Sequence, residues 1–125
     1  FDNAVRYEYG AENFVYITVY RSYAEYSRFK IVPRHPLNGK FELYEYNEGM
    51  NKIDWEMMES KMNEIDFTNQ DYAKEVKMAE CICSDSISPQ DFAYIYCNER
   101  HVEYLKSKYP TIADKIQSGV WLDGD

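Results

Sequence analysis

A short connection between two predicted strands is the feature that most restricts how this chain can fold. Alternating residues at 76–84 predict one strand, and the run Ala-Tyr-Ile-Tyr-Cys at 93–97 predicts the next. A parallel crossover needs about a dozen or more residues, usually as a helix. The connection here starts a helix at Ser88-Pro89 but has room for only one turn. We therefore expect an α+β fold with mainly antiparallel strands and flanking helices.

Composition limits the class of protein. The chain has 125 residues and a formal net charge of −8, which predicts a single domain over residues 1–125. No run approaches the roughly 18 apolar residues of a membrane-spanning helix, so we expect a soluble protein without a membrane partner. The acidic balance argues against broad electrostatic attachment to nucleic acid, but it leaves room for a local basic groove.

The cysteines indicate the compartment. Three of them, an odd number, favour a reducing environment, and we expect a cytoplasmic protein. Cys81, Cys83, Cys97 and His101 form a conceivable zinc set, but C-x-C is not the usual ligand spacing, and free buried thiols are the preferred interpretation. The chain opens with Phe1 rather than Met, so we expect it to begin inside a longer product.

The first half predicts a strand, a helix and a loop. Residues 13–20 combine β-branched and aromatic residues on both faces, which indicates a central, doubly buried strand. A short helix over 22–29 and an extended segment over 29–32 follow. Pro33 and Pro36 then predict an exposed loop over 33–39. Such loops often carry function.

The second half predicts two capped helices. Asp54 is a good N-cap, and the helix after it places a stripe in the core, formed by Trp55, Met58, Met62 and Ile65. Residues 66–72 are interpreted as a polar connection. Asn98 caps a last helix to about Lys108, with Val102 and Leu105 facing inward and Pro110 ending it. Residues 119–122 suggest an edge strand.

Glu80 is the most informative single residue. It lies in a predicted strand between Met78 and Ile82, where a carboxylate is costly unless it is paired, hydrogen-bonded or open to a cleft. An acid at the edge of a sheet that reaches water or Lys77 is the plainer explanation.

Four basic side chains are further candidates for a site. His35 lies beside Arg34 in the proline-rich loop, and a solvated loop histidine is its simplest interpretation. Lys74 and Lys77 precede Glu80 and are equally explained as its solvated flank.

The second half also resembles a known family. The resemblance rests on three segments in this order and spacing: KIDW at 52–55, KMAECIC at 77–83 and ISPQDFAYIY at 87–96. They resemble the C-terminal half of the DarT-type ADP-ribosyltransferases, the toxins of DarT–DarG toxin–antitoxin systems. The similarity covers roughly residues 29–122, including the closing Gly119-Val120-Trp121.

The resemblance implies a fold, a reaction and a set of residues. It implies a split β-sheet core that binds NAD as co-substrate and modifies a base, typically thymine, in single-stranded DNA, with RNA a second possible acceptor and an antitoxin as a protein partner. The chain would then be the C-terminal part of a transferase domain. Glu80 matches the family's catalytic glutamate. The loop with Arg34 and His35 corresponds to the acceptor loop, and Lys74 and Lys77 to a reduced basic run.

Two other functions are compatible with the sequence. An acidic, Tyr-rich interaction protein could present carboxylates as phosphate mimics to a basic partner, a hypothesis favoured by the charge of −8 and by the run FELYEYNE at 41–48. A catalytically inactive relative of the transferases is the second alternative.

Overall fold

Helices and short strands are interspersed along the chain. A computed structural model describes residues 7–37 and 39–119. The elements are, in order, β1 (Val15–Thr18), α1 (Arg21–Tyr26), β2 (Lys30–Val32), β3 (Tyr44–Glu45), α2 (Tyr46–Lys52), α3 (Trp55–Glu59), α4 (Gln70–Lys77), β4 (Glu80–Ile82), β5 (Tyr94–Cys97), α5 (Glu99–Lys108) and β6 (Ile116–Ser118). Short 3-10 turns lie between them. The described strands form two small sheets in which three of the four pairings are antiparallel, which confirms the α+β prediction.

The chain divides into two compact units. One combines the first 20 residues with Ile87–Asp125, and the other is Arg21–Ser86. The first contains the sheet β1-β5-β6, and the second the sheet β3-β2-β4. The connection from β4 to β5 therefore leads from one sheet to the other. The assignment of residues 1–125 to a single domain stays a prediction.

The first unit has a small core beneath its sheet. Its buried residues are Ile95, Cys97, Ile112 and Ile116, and Val102 and Leu105 of α5 pack against them as predicted. The Asn98 side chain accepts a hydrogen bond from the Arg100 N–H at 3.1 Å, so this residue caps α5. Ser88 caps the 3-10 turn Pro89–Asp91 in the same way.

The prediction of a central, doubly buried strand at 13–20 is wrong. Within the described residues β1 lies at the edge of its sheet and pairs only with β5. Val15 and Ile17 are 49% and 50% exposed. Apolar residues on both faces indicate strand structure, but they do not say how many neighbours the strand has. The final strand is β6, and residues 120–122 of the predicted edge strand lie outside the described residues.

The second unit is built around β2. Ile31 and Val32 are 1% and 0% exposed, and Ala73 and Val76 of α4 are equally buried. Helix α2 packs on β2, and a Cβ added to its Gly49 would lie 2.9 Å from Cγ2 of Ile31. Glycine at this position therefore allows the backbone of α2 to approach β2 closely.

Two helices of this unit differ from the prediction. Helix α2 was not predicted, because Gly49 and two asparagines give it weak helix propensity and its packing on β2 supplies the missing stability. Helix α4 replaces the last three residues of the predicted connection at 66–72 and the first two residues of the strand predicted at 76–84. Tyr72, Ala73 and Val76 carry helical spacing, a signal that could have identified α4 from the sequence.

Helix α3 is shorter than predicted, and its stripe does not enter a core. Asp54 caps it as expected, accepting a hydrogen bond from the Met57 N–H at 2.9 Å. The helix ends at Glu59, because Ser60 Oγ donates to the Met57 carbonyl and Lys77 Nζ donates to the Met58 carbonyl. None of the four stripe residues is buried, and Trp55 is 39% exposed.

Candidate active site

All five predicted site residues lie in the unit Arg21–Ser86. Strand β4 supplies Glu80, the loop after β2 supplies Arg34 and His35, and α4 supplies Lys74 and Lys77. These residues are separated by up to 46 positions in sequence and fall within one compact unit. Of the five, Arg34 lines the groove described below, and the other four do not.

Glu80 is placed by backbone pairing. It lies opposite Val32 in the antiparallel ladder between β4 and β2, so it faces the last strand residue before the loop. Its side chain is exposed. The three grooves described within residues 7–37 and 39–119 do not include it in their linings. The side chain is accessible from solvent at the edge of its described sheet.

A groove of about 360 Å³ opens beside the loop. Three basic side chains, Arg34, Lys40 and Lys52, line it together with the acidic Glu42 and Asp54. Its aromatic walls are Phe41, Tyr44 and Tyr72. This is a local groove with a basic majority on an acidic protein, and aromatic faces beside cations suit a nucleotide, which combines a phosphate with a flat base.

Arg34 is held on two sides. Its Nε forms an ion pair with Glu75 Oε2 at 3.3 Å, and its guanidinium carbon lies 5.3 Å from the centroid of the Tyr72 ring. The side chain is still 52% exposed. A guanidinium fixed in this way can offer its terminal nitrogens to a ligand in a fork-like geometry.

A carboxylate and a phenol are coupled at the floor of this groove. Tyr72 Oη donates to Asp54 Oδ2 at 2.9 Å. The hydrogen bonds from the Met57 N–H and, second, from Tyr72 lower the pKa of Asp54. The same bond raises the pKa of Tyr72. Asp54 thus caps α3 and joins it to α4 at once.

The other basic residues have individual partners. The His35 ring lies 5.3 Å from the Phe41 ring, and His35 is half-buried rather than fully exposed. Lys74 forms a loose ion pair with Asp71 at 3.7 Å. Lys77 Nζ donates to the carbonyls of Met58, at 2.8 Å, and Ser60. The ammonium group of Lys77 therefore fixes the end of α3.

The cysteines are free thiols in three environments. Cys97 is buried as expected, Cys83 is intermediate, and Cys81 is exposed, which corrects the expectation that all are buried. Across residues 7–37 and 39–119, no group of three or more His, Cys, Asp and Glu side chains could hold a metal ion.

The chain matches a known protein family over most of its length. The family DarT, described as ssDNA thymidine ADP-ribosyltransferase, matches residues 2–114 of the 125. The chain belongs to the DarT family. The match confirms the resemblance seen in the second half and extends it to the first residues, so that both compact units fall within it. No curated protein and no solved structure matches the chain significantly.

Membership of the DarT family gives the general chemistry. The family is one of transferases that move ADP-ribose to single-stranded DNA, and NAD is the co-substrate of ADP-ribosyl transfer. No helix in the described part of the chain is long and apolar enough to span a membrane.

Proposed function

We propose that this protein is a NAD-dependent enzyme that transfers ADP-ribose to a nucleobase, thymine, in single-stranded DNA. The observation that carries the proposal is the family match over residues 2–114, which includes every element of the candidate site. The groove beside the loop at 33–37 supports it, because its cations and aromatic rings fit a nucleic acid strand. DNA is favoured over RNA because the family acts on DNA.

Glu80 is the residue we assign to catalysis. The bond between the ribose and nicotinamide breaks as the new bond from the ribose carbon to a base nitrogen forms, and positive charge develops on the ribose. A carboxylate on a strand can accept a hydrogen bond from a ribose hydroxyl and stabilise that charge. It can also take the proton that the base nitrogen loses. The exposure of Glu80 leaves its oxygens available to such a ligand.

Arg34 and His35 are the side chains we assign to the acceptor strand. They follow directly after the strand residue that pairs with Glu80, so the loop and the proposed catalytic acid start from one pair of strands. Lys74 would add positive charge at longer range. Lys77 would contribute mainly by holding α3, because its ammonium group already donates to two carbonyls.

A role as a toxin follows from the proposed reaction. A modified template base blocks copying, so a cell that makes the enzyme needs a means to inhibit it or to remove the adduct. We therefore propose an antitoxin protein as a partner and the cytoplasm, where the DNA is accessible, as the location.

The test compares Glu80→Gln with Glu59→Gln, which alters another exposed glutamate of the same unit. Both variants are incubated with labelled NAD and a thymine-containing single-stranded oligonucleotide, and transfer is followed by mass spectrometry. We expect Glu80→Gln to abolish transfer, with a loss of at least about 100-fold, typical of the removal of a general base or of a group that stabilises developing charge. Glu59→Gln should retain it. Equal activity of the two variants would remove Glu80 from the mechanism.

NAD and DNA binding separate the proposal from its alternatives. Binding of NAD by calorimetry without transfer would indicate a catalytically inactive relative. Absence of NAD binding, together with salt-sensitive binding to a basic protein, would favour the acidic interaction protein.

A further inference from the structure

The loop that carries Arg34 and His35 is anchored at several points by one residue of α4. Glu75 Oε2 forms an ion pair with Arg34 Nε at 3.3 Å, and its Oε1 accepts a hydrogen bond from the Leu37 N–H at 3.2 Å. Its backbone carbonyl accepts from the His35 N–H at 3.0 Å. Both carboxylate oxygens and the carbonyl are thus committed to residues 34–37, which lie up to 41 positions away in the chain.

The anchor is mostly shielded from water. The Glu75 side chain is only 19% exposed, whereas that of Arg34 is 52% exposed. A carboxylate that makes an ion pair and a hydrogen bond in such a position holds its partners more firmly than an exposed ion pair does. Helix α4 is itself fixed by the fully buried Ala73 and Val76, so Glu75 starts from a rigid element.

The anchor determines which edge of the Arg34 guanidinium faces outward. Its Nε edge points to Glu75, and one face covers the Tyr72 ring. Within residues 7–37 and 39–119, the ion pair found for Arg34 is made through Nε, not through its terminal nitrogens. That pair of nitrogens is a preformed fork for two oxygens of a phosphodiester.

Electrostatics alone would disfavour this arrangement. A carboxylate beside a groove that binds DNA repels the phosphates, so its removal should strengthen DNA binding if charge were all that mattered. The placement of Glu75 is understandable if the geometry that it imposes on the loop outweighs this repulsion.

We propose that Glu75 is a positioning residue that holds the loop at 33–37 so that Arg34 presents its terminal nitrogens to a phosphodiester of the acceptor strand. This inference rests on the proposed function of the chain as a DNA transferase. Glu75 acts through Arg34 and does not touch the substrate.

The test uses Glu75→Ala, Glu75→Gln and the control Asp71→Ala in the full chain. Asp71 lies one turn earlier on α4, its side chain is 82% exposed, and its only described ion pair is with Lys74. Asp71→Ala removes the same charge without touching the loop. Glu75→Gln removes the charge but keeps an oxygen that can accept the hydrogen bond of the Leu37 N–H. Affinity for a thymine-containing oligonucleotide, KM and kcat for transfer, and hydrogen exchange of the His35 and Leu37 amides are measured for each.

A positioning role of Glu75 predicts how the variants rank by DNA affinity. Glu75→Ala should weaken DNA binding and raise the KM for DNA about tenfold, the change expected when one charged hydrogen bond is lost. Its kcat should stay within about twofold of the wild type, because the catalytic group is elsewhere. The DNA affinity of Glu75→Gln should lie between those of Glu75→Ala and the wild type. Asp71→Ala should bind DNA as tightly as the wild type or more tightly. The Leu37 amide should exchange faster in Glu75→Ala only.

Two failures are distinguishable. A wild type that neither binds nor modifies the oligonucleotide contradicts the proposed function, and this inference with it. A wild type that is active, with Glu75→Ala binding DNA as tightly as Asp71→Ala does, contradicts the positioning role alone.

Discussion

Glu80 lies directly opposite Val32 in the ladder between β4 and β2. Val32 is fully buried, and the loop at 33–37 begins at the next residue. One antiparallel pair therefore sets both the position of the proposed catalytic acid and the start of the proposed acceptor loop. Because Glu80 is exposed and its cross-strand partner is in the core, the two residues should respond very differently to substitution.

Substitution of Glu80 should leave the protein as stable as before. We expect Glu80→Gln to change the free energy of unfolding by no more than about 0.5 kcal/mol, because exposed substitutions rarely do more. Val32→Ala should cost about 2 kcal/mol, since it opens a cavity at a fully buried position. Urea denaturation followed by circular dichroism measures both. A large loss in Glu80→Gln would show that the side chain has a structural role and would make any loss of activity ambiguous.

Gly49 should not tolerate even a methyl group. In Gly49→Ala the new Cβ would overlap the Cβ of Ile31 and lie 2.9 Å from its Cγ2. Relief of that overlap must displace α2 from β2, and we expect a loss of about 1–3 kcal/mol despite the better helix propensity of alanine. Asn51→Ala, at an exposed position of the same helix, is the control and should be neutral or slightly stabilising. Equal stability of both variants would contradict the close packing.

Asp54 should make stability depend on pH in the acid range. Its pKa is lowered in the folded protein, chiefly by the Met57 N–H and then by Tyr72, so its contribution is present at neutral pH. The contribution is lost as pH falls from about 4, the ordinary aspartate value, through the lower folded value. Asparagine also caps helices but does not titrate.

The pH prediction is checked with thermal unfolding between pH 7 and pH 2.5. Asp54→Asn should be less stable than the wild type at pH 7, and the difference should shrink below pH 4. Asp71→Asn, whose exposed carboxylate accepts no capping bond, should follow the wild-type curve. A constant difference between Asp54→Asn and the wild type at all pH values would contradict the assignment.

The thiols should react in a fixed order. Cys97 is fully buried in the core of the first unit, so a thiol reagent should modify it only when that unit unfolds. Cys81 is exposed and should react in the folded protein. Its reaction should be slower than that of a free thiol at pH 8, because desolvation and, second, the neighbouring Cys83 raise its pKa. Peptide mapping after timed labelling measures the order, and rapid modification of Cys97 would contradict it.

Local features were predictable because their partners are close in sequence. Asp54, Ser88 and Asn98 cap the turns that follow them through bonds to residues two or three positions away. The sequence singled out Glu80 as an acid between apolar neighbours, with two explanations: an edge position that reaches water, or a cleft. The structure places it exposed on β4, at an edge of its described sheet.

The roles of α2 and Glu75 could not be predicted in this way. Helix α2 has weak intrinsic propensity, and its stability depends on a neighbour, Ile31, that lies 18 positions earlier. In the sequence, Glu75 directly precedes the strand predicted at 76–84, and nothing there indicates a contact with the loop at 33–37. Its partner Leu37 is 38 positions away, and no periodicity in the sequence predicts a hydrogen bond between the two residues.

By itself the amino-acid sequence determined the mixed class of the fold, the helix caps, strand β5 and the family to which the chain belongs. Each of these depends on neighbouring residues or on the order of short segments along the chain. Only the tertiary structure decided that Arg34, Tyr72 and Asp54 line one groove and that Glu75 holds its loop. That arrangement depends on the burial of Ile31, Val32, Ala73 and Val76, and burial is a property of the folded chain as a whole.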